Sequence, residues 1–402
     1  MRATDIRSPG TMRPDHPHHV ETDSSHDPDG LQPDVSGNGR RSVRPQLARL
    51  DGVVSTAGGA NQAAGALSGG RQRPPGTWRP DGGAVGPDGG SERDRGPCFD
   101  RDVPNNGYAW WYVDALSDDG LLGLTIIAFV GSVFSPYYAF ARRRGAADPL
   151  DHCALNVAVY AAKRKHWTMT ERRRSAVSRS ETSFTVGPSS LEWDGYSLTI
   201  RIDETTSPLP SRLRGTVKVH PSGLNTRTFL LDAASRHRWW PIAPCSRVQV
   251  DLQQPRLRWL GEGYFDINHG DTPLERDFSG WEWSRANTRK GAVISYNTRA
   301  RDGASTRLAL RFDRSGAVEM IEPLPRADLP PTRWRIPRSA PGDAEQAIKV
   351  KRTLEDAPFY ARSQLSARLF GETVDVMHES LSLDRFRRPI IQAMLPFRMP
   401  RW

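Results

Sequence analysis

The first long apolar stretch of the chain, residues 121–140, contains no charged residue. Its length is close to what a membrane-spanning helix needs. Its composition favours strands instead, because glycine, serine and proline interrupt it and β-branched residues are frequent between them. The interrupting residues are Gly123, Gly131, Ser135 and Pro136. Since residues 117–120, Ser-Asp-Asp-Gly, are typical of a hairpin turn, we expect strands on both sides of them.

Further along, short β-rich stretches alternate with turn residues. They cover residues 153–161, 183–203 and 213–221. The pairs Asp194-Gly195 and Ser222-Gly223 lie at the turns. Closely spaced strands without long helical periods are typical of an antiparallel sandwich or barrel. Only residues 343–370 are expected to be helical or mixed.

An internal repeat organises this β-rich region. Residues 99–129 and 265–298 both contain Phe-Asp, a loop, a pair of tryptophans, a polar turn and a β-rich return strand. The repeat predicts two similar β-domains, over residues 98–250 and 251–402. Asp100 in the first copy corresponds to Asp266 in the second, but it lacks the neighbouring Tyr and the upstream His-Arg-Trp-Trp, so we expect Asp100 to be structural.

Residues 1–97 have a different composition from the rest. They hold 17 of the 35 glycines, 11 of the 32 prolines and one aromatic residue, Trp78. So little apolar surface does not repay the entropy lost on ordering the backbone. We expect a disordered extension, in which His16, His18 and His19 are scattered polar residues rather than a metal clamp.

The net charge of +10 belongs to residues 98–402, since residues 1–97 contain twelve arginines and twelve acidic residues. Short basic runs occur at Arg142–Arg144, Lys163–Lys165 and Arg172–Arg174. Solvated surface is the ordinary interpretation of such runs. No nucleic-acid-binding motif accompanies them, so we expect no nucleic acid and favour an anionic membrane surface as the partner.

The remaining compositional signals concern the compartment. Cys98, Cys153 and Cys245 lie far apart and form no CxxC pair, which fits a reducing compartment and predicts neither a disulfide framework nor a zinc site. The chain begins without an apolar run of signal-peptide type.

The densest group of aromatic and ionisable residues lies at 237–285, where five of the tryptophans occur. On composition alone these tryptophans are more often barrel core than site. Read with GYAWWYVDALSDDG at 107–120 and SVFSPYYAFARRR at 132–144, this block closely resembles the carotenoid 1,2-hydratase family, also called hydroxyneurosporene synthases. The resemblance extends from about Cys98 to about Leu381.

The resemblance implies an all-β fold of two tandem lipocalin-like antiparallel barrels. It also implies a hydro-lyase that uses no cofactor and adds water to the terminal double bond of an acyclic carotene of the neurosporene or lycopene type. Since such a substrate is dissolved in lipid, we expect a peripheral protein on the cytoplasmic side of the bacterial inner or intracytoplasmic membrane.

Hydration of an isolated alkene without a metal requires a positioned acid. An ordinary aspartic acid is protonated about one part in a thousand at pH 7, which costs about 4 kcal/mol. Burial among tryptophans raises such a pKa by about 3–5 units. Asp266 is the candidate acid, and Tyr264 lies on the same face of a strand, within hydrogen-bonding reach.

The other candidate residues are assigned by their position in the block. We expect Trp239 to face the carbocation, and His237 to orient the water and accept its proton. Trp240, Trp281 and Trp283 are expected to line the substrate site. These four catalytic candidates, Asp266, His237, Tyr264 and Trp239, match the family's motif.

Several alternatives remain open. Asp266 also suits a turn cap, and His237 between two arginines also suits the surface. A metal site of His237, Asp266 and His269 matches no recurrent spacing. A related two-barrel cyclase or isomerase would use the same acid, and a lipocalin-like carrier would bind carotene without chemistry.

Overall fold

The computed structural model describes residues 96–161, 164–344 and 347–402. Of the predicted disordered extension over 1–97, all but the last two residues lie outside these ranges, including His16, His18 and His19.

A large antiparallel sheet is formed by the first part of the described chain. Its twelve strands are β1 (Tyr108–Ser117), β2 (Gly123–Val130), β3 (Cys153–Tyr160), β4 (Lys165–Arg172), β5 (Val177–Arg179), β6 (Ser183–Val186), β7 (Ser189–Trp193), β8 (Leu198–Thr205), β9 (Arg212–Pro221), β10 (Phe229–Leu230), β11 (His237–Gln254) and β12 (Arg256–Gly270). The order is β4-β3-β2-β1-β12-β11-β9-β8-β7-β6-β5, with β10 on β11. The sheet curves back on itself, since the Thr168 hydroxyl of β4 donates to the Thr205 carbonyl of β8 over 2.8 Å.

The second antiparallel sheet has seven strands, in the order β16-β15-β14-β13-β21-β20-β19. These are β13 (Phe278–Thr288), β14 (Gly291–Ala300), β15 (Ser305–Phe312), β16 (Val318–Met320), β19 (Lys349–Asp356), β20 (Tyr360–Leu369) and β21 (Glu372–Ser382). A separate pair joins β17 (Arg326–Asp328) to β18 (Ser339–Pro341). The predicted all-β class with antiparallel pairing is confirmed.

The helices are short. They are α1 (Pro136–Arg144), α2 (Leu274–Asp277), α3 (Leu383–Phe386) and α4 (Pro389–Met394), with single 3₁₀ turns at Pro149–His152, Arg174–Ala176 and Leu395–Phe397. Within the described ranges, no helix has the length and apolar character needed to cross a membrane.

The strand prediction for residues 121–140 is right for its first half and wrong for its second. Residues Gly123–Val130 form β2, but α1 begins at Pro136. The Ser135 hydroxyl accepts hydrogen bonds from the Tyr137 and Tyr138 amides, and proline occupies the first helical position, where it needs no amide hydrogen. The interrupting residues therefore start a helix rather than a second strand.

Residues 343–370 also differ from expectation. They contain the whole of β19 and β20 instead of helical or mixed structure. In β19 the side chains alternate between exposed and less exposed positions, which is the period of a strand. Arg352 hides this alternation in the sequence, because its long stem packs like an apolar group at one of the less exposed positions.

The expected domain boundary at residue 250 lies inside β11, which continues to Gln254 and pairs with β12. Sheet membership changes only after Gly270, so the long β11–β12 hairpin belongs entirely to the first sheet. The division into domains stays a prediction. The repeat corresponds to two hairpins, β1–β2 and β13–β14, one in each sheet.

Alternation along the strands separates two kinds of core. Trp111 and Trp240 point into an aliphatic core enclosed by the first sheet, together with Phe265 and Ile267. Their neighbours Trp110 and Trp239 point the other way, into an aromatic core shared with the second sheet. The space between the two sheets is therefore lined by aromatic residues.

Candidate functional site

A cavity of about 500 Å³ lies between the two sheets. Aromatic side chains form much of its wall, from both copies of the repeat and from neighbouring strands. They include Trp110, Tyr112, Phe129, Trp167, Trp281, Trp283, Tyr296, Phe359 and Tyr360. Only a few polar groups interrupt this wall, among them the carboxyl groups of Asp266, Glu355 and Glu379. An apolar cavity with few convergent polar groups is the usual form of a small-molecule site.

Asp266 lies on β12, in the wall that the first sheet contributes. Its side chain is 3% exposed. The Tyr264 hydroxyl donates to Oδ2 over 2.6 Å, and the Trp239 indole donates to the same atom over 2.8 Å. Tyr264 and Asp266 are two residues apart on one strand, so both side chains point to the same face. The structure thus brings together three of the four expected catalytic residues.

Burial raises the pKa of Asp266 to about 8, and the nearby charges of Glu379 and Asp114 act in the same direction. The hydrogen bonds from Tyr264 and Trp239 lower it, but by less than burial raises it. A carboxyl group with this pKa is mostly protonated at neutral pH. Burial likewise raises the pKa of Tyr264 well above its usual value, so the phenol keeps the proton it donates to Asp266.

Asn268 lies two residues after Asp266 on β12, so its side chain points to the same face. Its Nδ2 donates to Asp266 Oδ1 over 3.2 Å. Its Oδ1 is buried and has no hydrogen-bond partner among the described residues. Because Asn268 also lines the cavity, it presents an unused acceptor beside the acid.

The second sheet places another carboxylate across the cavity. Glu379 on β21 forms an ion pair with Arg362 and accepts a hydrogen bond from the Tyr112 hydroxyl over 2.8 Å. The strand registers explain how the two carboxyl groups come to face each other. Tyr112 stands opposite Asp266 in the first sheet, and Glu379 stands between Arg362 and Trp283 in the second.

A buried ionic network supports this pair of sheets. Arg362 Nη2 donates to Asp114 Oδ2 over 2.9 Å, and Arg285 Nε donates to Asp114 Oδ1 over 3.0 Å. All three side chains are almost fully buried. Removing one member of such a network leaves a buried charge unpaired, which is strongly destabilising. The network therefore fixes where Glu379 sits.

Trp239 takes a different position from the one expected. It is fully buried, and its ring packs on Phe229 and Tyr296 rather than forming part of the cavity wall. Its indole nitrogen donates both to Asp266 and to the Tyr264 hydroxyl, the latter over 3.1 Å. The Trp239 indole therefore contacts the carboxyl group, while its ring lies outside the cavity wall.

His237 does not line the cavity. Its Nδ1 is bonded to the Tyr108 hydroxyl at 3.0 Å, and its Nε2 to Asp277 Oδ2 at 2.9 Å. Burial lowers its pKa, against the opposing effect of the Asp277 hydrogen bond. With both ring nitrogens engaged by the protein, the geometry fits a structural link between β11, β1 and α2 rather than contact with a water in the cavity.

The three tryptophans expected to line the substrate site divide between the two cores. Trp281 and Trp283 line the cavity. Trp240 instead points into the aliphatic core, where its indole donates to the Asn225 carbonyl over 2.6 Å. Trp240 follows Trp239 directly on β11, so alternation sends the two rings to opposite faces.

The metal alternative finds no support in the geometry. Within the described ranges, no group of three His, Cys, Asp or Glu side chains is arranged to hold a metal ion. His269 follows Asn268 on β12 and therefore points away from the face that carries Asp266.

Sequence reasoning missed Tyr112, Asn268 and Glu379. Asn268 was within reach of the alternation argument, because it follows Tyr264 and Asp266 at the same spacing. Tyr112 and Glu379 come from strands far from the tryptophan block, and only the strand register brings them to the acid. No alternation marks Glu379, because the polar residues on both sides of it in β21 are buried as well.

Comparison with known proteins adds to this geometry. The family model for the carotenoid hydratase CrtC matches residues 126–402. An acyclic carotenoid 1,2-hydratase of Thiocapsa roseopersicina is 54% identical over 402 residues, which covers 100% of this chain and 99% of that protein. One of Rubrivivax gelatinosus is 47% identical over 404 residues and covers 100% of both. A crystal structure from Nitrosomonas europaea has a TM-score of 0.48 at 16% identity, covering 70% of this chain and 93% of that one. On the family match and these two relatives, the chain belongs to the CrtC family of carotenoid hydratases.

Proposed function

We propose that this protein is an acyclic carotenoid 1,2-hydratase that adds water across the terminal C1=C2 double bond of a neurosporene- or lycopene-type carotene. The observation that carries the proposal is a carboxyl group with a pKa of about 8, that of Asp266, in the wall of an aromatic cavity. The names of the two acyclic carotenoid 1,2-hydratases described above support the same reaction. The product is a tertiary alcohol at C1.

The first step is proton transfer from the Asp266 carboxyl group to C2. The electron pair of the double bond forms the new C–H bond and leaves a tertiary cation at C1. A raised pKa removes most of the cost of about 4 kcal/mol that an ordinary aspartic acid pays for protonation at pH 7. The Tyr264 and Trp239 hydrogen bonds stabilise the carboxylate that remains, so they help once the proton has left.

The cation then lies between aromatic faces and two carboxylates. Trp281, Trp283 and Tyr296 offer their ring faces within the cavity, each worth about 0.5–2 kcal/mol toward a cation. In this scheme these three residues stabilise the cation, which was the role expected of Trp239. The Trp239 indole instead donates its hydrogen bond to Asp266.

In the second step, water attacks C1 and loses a proton. We assign the proton to Glu379, which stands across the cavity, and the positioning of the water to the unused Oδ1 of Asn268. Transfer of this proton from Glu379 back to Asp266 completes the cycle. One water is consumed, and both carboxyl groups return to their starting protonation states. His237, expected to orient the water, has both nitrogens occupied and takes a positioning role in this scheme.

The pH dependence of turnover follows from the acid. Only protonated Asp266 donates a proton, and its pKa lies near 8. At saturating carotene in detergent micelles, we expect the rate to be level on the acidic side of about 8 and to fall by about tenfold per pH unit on the alkaline side. A rate that rises through this range while the protein stays folded would contradict the assignment.

The partner of the protein is proposed to be a membrane lipid surface in addition to carotene and water. Residues 98–402 carry the basic excess, and anionic headgroups attract basic surfaces. We place the protein peripherally, on the cytoplasmic side of the bacterial inner or intracytoplasmic membrane. Nucleic acid has no role in this proposal.

The function is tested with purified protein and lycopene or neurosporene in detergent micelles. The expected product is heavier than the substrate by one water and carries a tertiary hydroxyl group. A carrier would bind the carotene and return it unchanged, and a cyclase or isomerase would change its chromatographic behaviour without a change in mass. Either of these outcomes rejects the proposal.

A further inference from the structure

The C-terminal segment forms one wall of the cavity and is also exposed to solvent. Residues 391–399, in α4 and the turn after it, contribute several lining side chains. Two of these, Met394 and Phe397, are also 45% and 80% exposed. A side chain that both lines a cavity and faces solvent marks its opening. The cavity therefore opens beside this segment.

Further exposed apolar side chains lie around the opening. Ile390 at the start of α4 is 66% exposed, and Leu209 in the loop before β9 is 82% exposed. This loop adjoins the segment, because the Ser207 hydroxyl donates to the Phe397 carbonyl over 3.2 Å and Pro208 lines the cavity. We call Leu209, Ile390, Met394 and Phe397 the apolar rim.

The segment that carries most of the apolar rim is basic. Residues 387–402 contain four arginines and no acidic residue. Arg387 and Arg388 are exposed immediately before α4. Farther along, Arg401 lines an open surface depression with Arg144 and Arg173, which come from two of the basic runs in the sequence. The charge of Arg401 is offset by ion pairs with Asp151 and Glu171, so the exposed arginines before α4 carry the positive charge of the rim.

We propose that the apolar rim and its flanking arginines dock on an anionic lipid bilayer, with Ile390, Phe397 and Leu209 entering the interface. The proposal rests on the carotenoid hydratase function, since it gives a lipid-dissolved substrate a path from the bilayer into the cavity without crossing water. Apolar side chains ringed by basic ones match the acyl region and the anionic headgroups of such a surface.

The charge complementarity favours a bilayer over a second copy of this chain. A copy would bring the same exposed arginines, Arg387 and Arg388, against each other, and like charges within a shared interface oppose association. A bilayer containing anionic lipid instead supplies the opposite sign. Part of the attraction is electrostatic, so salt weakens it.

The test is co-sedimentation of the full chain with vesicles of phosphatidylcholine alone or of phosphatidylcholine mixed with phosphatidylglycerol. We expect binding to the mixed vesicles that decreases at high salt. The double variant Leu209→Ser/Ile390→Ser should bind at least about tenfold more weakly, because two exposed side chains no longer enter the apolar region. The double variant Arg387→Gln/Arg388→Gln should lose its preference for the anionic lipid.

Matched controls distinguish vesicle binding through this surface from non-specific adsorption of the protein to lipid. Leu260→Ser removes another exposed leucine, 56% exposed on β12, and Arg214→Gln/Arg256→Gln removes two other exposed arginines. Both controls should bind mixed vesicles as the natural protein does. Equal binding by the rim variants and the controls would overturn the docking surface, as would a concentration-dependent dimer that only the rim variants abolish.

Turnover in detergent micelles keeps this test distinct from that of the function. None of Leu209, Ile390, Arg387 and Arg388 lines the cavity, so the variants should hydrate carotene in micelles at the natural rate. They should be slower only when the carotene is supplied in anionic vesicles. Vesicle binding without any hydration in micelles would reject the function and leave the docking surface in place.

Discussion

Replacing Asp266 by asparagine should lower the hydration rate by about 10²–10⁴ while leaving carotene binding intact. Asparagine keeps the size of the side chain and an oxygen that accepts from Tyr264 and Trp239. It has no acidic proton to give to C2. Turnover is measured in micelles. The affinity for lycopene is measured separately, from the change in the carotene absorption spectrum on binding.

A suitable control is Asp100→Asn, since Asp100 is the corresponding residue in the first copy of the repeat. Asp100 is exposed and does not line the cavity, so this variant should hydrate carotene at the natural rate. Near-normal turnover by Asp266→Asn would contradict the mechanism. A loss of carotene binding equal to the loss of turnover would assign Asp266 to binding instead.

Replacing Glu379 by glutamine should lower the rate by about 10²-fold or more, because the water then lacks a base when it attacks the cation. Glutamine still accepts from Tyr112, but its neutral side chain no longer pairs with the charge of Arg362. Loss of the negative charge also removes one of the causes that raise the pKa of Asp266. The alkaline limb of the pH profile should therefore move to lower pH.

Glu355→Gln is the matched control, since Glu355 also lines the cavity and forms an ion pair, in its case with Lys165. Its charge is not among the causes of the raised pKa of Asp266. The control should retain more activity than Glu379→Gln and should keep the alkaline limb near 8. If the two variants behave alike, or if Glu379→Gln leaves the limb unmoved, Glu379 is not the base.

The candidate acid could be predicted because its environment is local in sequence. Tyr264 and Asp266 share a strand face through simple alternation, and Trp239 reaches them from the neighbouring strand. The same alternation misleads at His237. Since His237 stands at the very start of β11, opposite Gly270, its side chain meets Tyr108 and Asp277 at the strand end rather than the cavity.

Features that depend on strand register could not be predicted from the sequence. Glu379 and Asp266 line the same cavity, and Tyr112, which pairs with Asp266 in the first sheet, donates to Glu379 of the second. The class of fold was accessible, since short strands and turn pairs recur along the chain. The length of β11 could not be predicted, because nothing local marks an 18-residue strand that continues past the expected domain boundary at residue 250.

The account depends most on a neutral Asp266 at physiological pH, and infrared difference spectroscopy of the carboxyl groups measures this directly. The natural protein and Asp266→Asn are titrated in parallel, so that the difference isolates one carboxyl group from others such as Glu204, whose pKa burial raises to about 7. We predict a protonated-carboxyl band that belongs to Asp266 and disappears with a midpoint near 8. A band that is already absent at neutral pH would show an ionised Asp266 and contradict the proposed mechanism.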